Sequence, residues 1–255
     1  EESGKTPDYK LIENMRDTLA HRGPDDAGVF IKNNVAFAHR RLSILDLTAA
    51  GHQPFLNEKK TIVLTFNGEI YNYKEINQNL AKHNIYCKSN CDTESLLRLY
   101  ELHGIACLKY LRGMFAFAIF DFEKNLLFAA RDRLGKKPFF YAYQDGRFYF
   151  ASEIKAILTD PRFKKKPNYE ALHYYLSFKY TPHPYSAFVD IHKLPHGHYL
   201  IYQNNKITIE NYWQNWFKID NSEKITDENT AKKTIREKLL EAVKLRMISD
   251  VPLGA

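Results

Sequence analysis

The chain has 255 residues, 44% of them hydrophobic and 14% aromatic, which is enough to bury a large core. Its 37 Lys and Arg against 30 Asp and Glu give a formal charge of +7, but the basic residues are dispersed. The densest run, Lys164-Lys165-Lys166, reads as a solvated loop, so a nucleic-acid partner is not expected. No apolar run approaches a membrane span and no signal peptide precedes the first helix, so no membrane partner is expected either. Three cysteines are few for this length and suit a reducing, cytoplasmic setting. Cys87 and Cys91 lack a second Cys or His pair to complete a tetrahedral set, and no metal is expected on them.

In chain order, Asp8 to Ala20 has helical periodicity, with Leu11, Met15 and Leu19 on one stripe. It stops at His21-Arg22-Gly23-Pro24-Asp25-Asp26, where Arg22 and Asp25 are candidates for locking a loop. Gly28 to Ile31 and Val35 to His39 read as a hairpin around Asn33-Asn34. Arg40 and Arg41 end its second strand. Consecutive strand residues point to opposite faces, so at most one of them faces a given pocket. An Arg in a pocket matches a carboxylate, which it grips with two parallel hydrogen bonds.

Thr61 to Phe66 reads as a buried strand that ends in Asn67-Gly68-Glu69 and feeds a helix from Lys74 to His83. An isolated Asn-Gly is usually a tight turn, but no second alternating strand follows it here. A strand end of this kind can aim a side-chain amide and a backbone N–H at one spot, which are the parts of an oxyanion hole. Asp92 then stands at the expected N-cap of a helix through His103. Capping accounts for it, and the functional alternative is that its carboxylate receives a substrate ammonium.

Met114 to Phe120 is a strand buried on both faces, and Asn125 to Ala130 follows it. Phe139 to Tyr143 and Arg147 to Ala151 form a hairpin at Asp145-Gly146, before a short helix to Leu158. A helix is expected over Asn168 to Phe178, and a terminal hairpin at Tyr199 to Tyr202 and Lys206 to Tyr212. Trp213 to Asn229 is polar and irregular, a linker pattern, and Thr230 to Met247 is a long helix.

The motifs HRGPDD (21–26), AHRRLSILD (38–46), GHQP (51–54), NGEIYNY (67–73), CDTE (91–94), GMFAFAIFD (113–121), ARDRLGKKPFFY (130–141) and ASEIKAI (151–157) stand in one order. Together they resemble glutamine-hydrolysing asparagine synthetase of the B type. The resemblance implies an α+β fold: a four-layer αββα Ntn-hydrolase sandwich, the class II glutamine amidotransferase arrangement. The expected layout is a glutaminase domain over 1–200 lacking its first strand, a domain end and linker over 201–229, and the first helix of an α/β ATP-pyrophosphatase-like synthetase domain over 230–255. The chain is therefore expected to be cut at both ends.

The resemblance also implies the chemistry. An N-terminal Cys, with its own α-amino group as base, attacks the glutamine side-chain amide and forms a thioester. Ammonia then passes to a second site, where ATP and Mg activate aspartate. Carried over by matched motif, Asn67 and Gly68 stabilise the oxyanion, Arg41 holds the glutamine α-carboxylate, and Asp92 holds the α-ammonium with Glu69 beside it. Leu42, Ser43, Ile44 and Leu45 line the same pocket, and Arg40 faces away. Glutamine is the expected partner of this chain, with a homodimer as in relatives; aspartate, ATP and Mg belong to the second domain, and no cofactor is expected here. The departure is the nucleophile: the chain opens Glu1-Glu2-Ser3, and Cys87, Cys91 and Cys107 carry no free α-amino group. Without that Cys, the chain is expected to hydrolyse no glutamine. The alternatives are an amidotransferase with another carboxylate or sugar acceptor, a β-lactam-synthetase-like ligase with a retired glutaminase domain, and a non-catalytic module docking an acidic partner.

Overall fold

The computed structural model describes residues 4–214 and 224–254. Helix α1 (Tyr9–Asp17) leads into the hairpin β1 (Asp26–Lys32) and β2 (Val35–Arg41). The short β3 (Phe55–Leu56), the long β4 (Ile62–Ile70), α2 (Tyr73–Ala81) and α3 (Asp92–His103) follow. Then come β5 (Gly113–Asp121), β6 (Leu126–Arg131), β7 (Phe140–Gln144), β8 (Arg147–Ala151) and α4 (Ile154–Ile157). The chain continues through α5 (Tyr169–Phe178), β9 (Ile191–Lys193), β10 (His198–Gln203), β11 (Lys206–Asn211) and α6 (Glu228–Arg246).

Side chains alternate across a strand, and the central strands fill both of their faces. In β4 and β5, Leu64, Phe66, Phe115, Phe117 and Ile119 point to one side and pack on Ile76, Leu80, Leu96, Leu97 and Tyr100 of α2 and α3. Val63, Ala116, Ala118, Leu127 and Ala129 point to the other side and meet Phe37, Phe139 and Tyr141 of a second layer. The small alanines leave room for these rings, and Phe37 and Phe150 meet edge-on with centroids 5.1 Å apart. A third cluster, Ala142, Tyr149, Ile157 and Ile191 with Met15 and Ile154, lies between the second layer and α1 and α4. Helices, sheet, sheet and helices thus stack in four layers. Each fully buried Phe or Leu contributes about 1.5–3 kcal/mol of hydrophobic stabilisation.

The first sheet is antiparallel with strand order β11-β10-β6-β5-β4-β3. The second layer consists of two separate pieces, β1-β2 and β8-β7-β9. Two hairpins use the turn chemistry expected of them: Asp145 and Gly146 both have positive φ (48° and 72°), as do Asn204 and Asn205 (49° and 61°).

Two sequence expectations are corrected. β4 does not end at Asn67. It stays paired with β5 through Asn67–Ala116, Gly68–Phe115, Glu69–Met114 and Ile70–Gly113. Gly68 permits this close pairing, since a Cβ there would lie 2.2 Å from the Met114 carbonyl oxygen. Asp92 is not an N-cap: Cys91 holds that position, and Asp92 is the first residue of α3, 5% exposed. Residues 215–223 of the expected linker lie outside the described residues.

Candidate active site

A cavity of about 630 Å³ runs between the layers. Its wall includes Leu11, Met15 and Leu19, Ala36 and Ala38 of β2, Ala116 and Ala118 of β5, and Phe148 and Phe150 of β8, with the charged Arg147, Asp160 and Arg162 bordering it too. Among the described residues β2 pairs only with β1, and β8 only with β7. The polar end is formed by Arg41, Asn67, Gly68, Glu69 and Asp92.

Arg41 is 7% exposed at the end of β2, with the loop after it folded round its guanidinium. Nη1 donates to Thr48 O at 3.1 Å, and Nη2 donates to Leu45 O at 2.9 Å and Asp46 O at 2.5 Å. Gly51 makes room for this, because a Cβ there would sit 1.9 Å from Arg41 Nη2. Two carboxylates fix the loop from outside. Asp25 accepts the Ser43 N–H at 2.8 Å, and Asp46 accepts from the Asn90 N–H at 2.9 Å and the Thr48 N–H at 3.1 Å. Arg40 turns elsewhere, donating to Gly23 O at 2.9 Å with Asp17 at 3.6 Å, although it still borders the cavity.

Asn67 and Gly68 come from β4. Asn67 Nδ2 lies 3.5 Å from Ser152 Oγ. One residue earlier, Gln53 clips the strand: its Oε1 accepts the Phe66 N–H at 2.7 Å and its Nε2 donates to Phe66 O at 3.2 Å. The same Nε2 reaches Thr93 Oγ1 at 3.4 Å, which ties the strand to the start of α3.

Asp92 accepts the Ile70 N–H at 2.8 Å. Burial pushes its carboxyl up to about 7, opposed by backbone N–H bonds and reinforced by Glu69. Burial also raises Glu69, opposed by the charge of Lys137. Lys137 is placed by Asp132, a carboxylate 1% exposed that accepts the N–H groups of Phe115, Leu134, Lys136 and Lys137. In the cavity wall, desolvation and the nearby Arg41 hold His39 down at about 4, so it is neutral near pH 7. His21 and Arg22 pair with Glu153 at 3.0 and 3.2 Å, joining the first turn after α1 to the start of α4.

Of the residues singled out from the sequence, Arg41, Leu42, Ile44, Leu45, Asn67, Gly68, Glu69 and Asp92 border this one cavity. Ser43 is absent from its wall, and its backbone N–H is turned onto Asp25. Leu42 is 54% exposed and touches only the rim. Sequence reasoning gave no role to Gln53, Thr93, Lys137 or Ser152, which also border the cavity. The GHQP stretch carried the signal for Gln53, a polar side chain in a loop entering a buried strand. Among the described residues no group of three or more His, Cys, Asp or Glu is placed to hold a metal ion, and none is long and apolar enough as a helix to cross a membrane.

The layering and the amide-and-carboxylate lining at one end of the inter-sheet cavity define the class, an αββα sandwich of the Ntn-hydrolase type. Over residues 2–213 the chain matches the glutamine amidotransferase domain family, and it belongs to that family. It is 38% identical over 272 residues to a putative glutamine-hydrolyzing asparagine synthetase 2 of Methanocaldococcus jannaschii, covering 99% of this chain and 52% of that protein. It is 36% identical over 250 residues to glutamine-hydrolyzing asparagine synthetase 1 of Bacillus subtilis, covering 96% of this chain and 38% of that one. The chain thus spans about half or less of the length of these relatives. Among solved structures, the glutamine phosphoribosylpyrophosphate amidotransferase of B. subtilis shares the fold, with a TM-score of 0.52 at 20% identity over 72% of this chain and 36% of that one.

Proposed function

We propose that this chain is the glutamine-hydrolysing part of an asparagine synthetase. The observation that carries the reading is convergence: Arg41, the adjacent pair Asn67 and Gly68, and Asp92, from three separate stretches of sequence, border one cavity. Three N–H bonds of Arg41 go to loop carbonyls, out of the five a guanidinium has, which leaves donors for a glutamine α-carboxylate. Asp92 receives the α-ammonium. The Asn67 amide and the Gly68 N–H face the carbonyl oxygen of the side-chain amide, where negative charge develops.

The nucleophile belongs to a strand preceding Glu1, lying in the cavity between β2 and β8. An extended segment there would hydrogen-bond to both neighbouring strands, and its leading end would reach the polar end of the cavity. Its N-terminal Cys gives its thiol proton to its own α-amine and attacks the amide carbon. Collapse of the tetrahedral intermediate returns the proton to the leaving nitrogen, releasing ammonia and a thioester. Water hydrolyses the thioester to glutamate. A domain beginning with α6 would bring ammonia to aspartate, with ATP and Mg supplying the activation. A cytoplasmic location and a homodimer belong to the same reading.

The test is an assay of the protein expressed from its complete gene with glutamine, aspartate and ATP. Glutamate and asparagine formed in equal amounts would support the reading. Glutamate without asparagine would move the acceptor to another carboxylate or a sugar. No glutamate would sink it.

A further inference from the structure

The segment after α6 returns to the Arg41 loop. Asp250 accepts the Asp46 N–H on Oδ2 at 2.7 Å, and its own N–H donates to Ile44 O at 2.9 Å. Arg41 holds the same stretch from the cavity side, through Leu45 O and Asp46 O. Residues 44–46 are therefore gripped on both sides, and the outer grip comes from 204 positions along the chain. The Asp46 carboxylate is not part of this grip, since it is taken up by Thr48 and Asn90.

Four further contacts set where Asp250 sits. Ser249 Oγ donates to Val251 O at 2.9 Å and accepts the Val251 N–H at 3.1 Å, a local turn that presents Asp250 outward. Ile248 packs against the core cluster that includes Leu45 and Tyr73. The Arg246 guanidinium lies 4.8 Å over the Tyr71 ring, and Arg112 pairs with Glu241 at 2.8 Å. The end of α6 is thereby fixed to the turn that follows β4. Asp250 itself is exposed, so a buried core does not explain its two bonds.

We propose that Asp250 is a positioning residue for glutamine binding, clasping residues 44–46 so that Arg41 presents its remaining donors to the substrate carboxylate. It follows that a shift of the segment after α6 changes glutamine affinity without touching the reacting atoms. This rests on the glutamine pocket proposed above.

The test uses the protein expressed from its complete gene, with Asp250→Ala and Asp250→Asn. Loss of one well-placed acceptor on a loop is worth about tenfold in binding. Asp250→Ala should raise the glutamine KM by about that factor while kcat and the thermal midpoint hold. Asp250→Asn keeps an acceptor oxygen and should restore KM to within about threefold. Hydrogen exchange at the Asp46 amide should speed up in Asp250→Ala and return in Asp250→Asn. An unchanged KM and exchange rate in Asp250→Ala, or a parallel fall in kcat and thermal midpoint, would overturn the proposal. So would an Asp250→Asn variant as impaired as Asp250→Ala. If the unaltered protein hydrolyses no glutamine, the pocket assignment fails by itself, and the exchange measurement alone decides whether the clasp exists.

Discussion

The Asp92 carboxylate accepts the Ile70 N–H at 2.8 Å, and so fastens the first residue of α3 to the last residue of β4. The strand that carries Asn67 and Gly68 and the helix that carries Asp92 are held in one relation by that bond. A group binding the ammonium of an amino acid and a group facing its side-chain carbonyl must keep a fixed spacing, and this bond supplies it.

Its titration leads to the first prediction. Burial raises Asp92 to about 7, above the roughly 3.9 of an unfolded Asp. Between those values the native chain holds a proton that the unfolded chain has lost. The stability contributed by this group therefore falls as pH rises from about 4 to about 7. Asp92→Asn removes that dependence, so its thermal midpoint at pH 8 should equal or exceed that of the unaltered protein. Binding goes the other way. An ammonium needs the ionised carboxylate, so glutamine affinity should rise about tenfold from pH 6 to pH 8. In Asp92→Asn it should be weak and flat. Glu69 is the charged neighbour that reinforces the upward shift of Asp92, and Lys137 acts on Glu69. Titration calorimetry across that pH range, with melting curves alongside, checks both statements.

Two glycines should show what a side chain costs at two places in the site. At Gly68 a Cβ would meet backbone, 2.2 Å from Met114 O and 2.7 Å from Phe115 Cα, which cannot move cheaply. Gly68→Ala should destabilise by about 2–3 kcal/mol in urea unfolding. At Gly51 the Cβ would meet the tip of a flexible side chain, Arg41 Nη2 at 1.9 Å. Gly51→Ala should therefore displace the guanidinium, weakening glutamine binding at least tenfold, and loss of its three loop-carbonyl bonds should cost about 1–3 kcal/mol.

Asp132 supports the far side of the site. Its two oxygens accept four backbone N–H groups, those of Phe115, Leu134, Lys136 and Lys137. Asp132→Ala strands these donors in a buried place and should cost about 3 kcal/mol or more. It also frees Lys137, whose charge opposes the upward shift of Glu69, so the Glu69 titration in the variant should move up. Denaturant unfolding reads the first effect and carboxyl NMR titration the second.

The central strands were legible in the sequence as apolar runs, while the four-layer arrangement was given by the resemblance; the alternation that fits it becomes plain with the partners in place. Val63 against Leu64 and Phe66, and Ala116 and Ala118 against Phe115 and Phe117, then assign the faces. The end of β4 was set too early because its pairing with β5 continues to Ile70, and a short-range pattern does not contain that pairing. Asp92 had the residue type of a cap, yet its carboxylate accepts the Ile70 N–H, a contact across 22 positions. Gln53 had only the polar GHQP loop to mark it, and Asp250 had no local signal, because their partners lie on other elements.

The most direct measurement is ammonia release from glutamine by the protein expressed from its complete gene, compared with its Asn67→Ala variant. Asn67 borders the cavity beside Gly68 and has only a marginal contact with Ser152, so its removal should leave the fold intact. The account predicts steady hydrolysis by the unaltered protein and a fall in kcat of about 100- to 1,000-fold in the variant, with KM nearly constant. A folded, unaltered protein that releases no ammonia, or an Asn67→Ala variant that hydrolyses glutamine as fast as its parent, would contradict it.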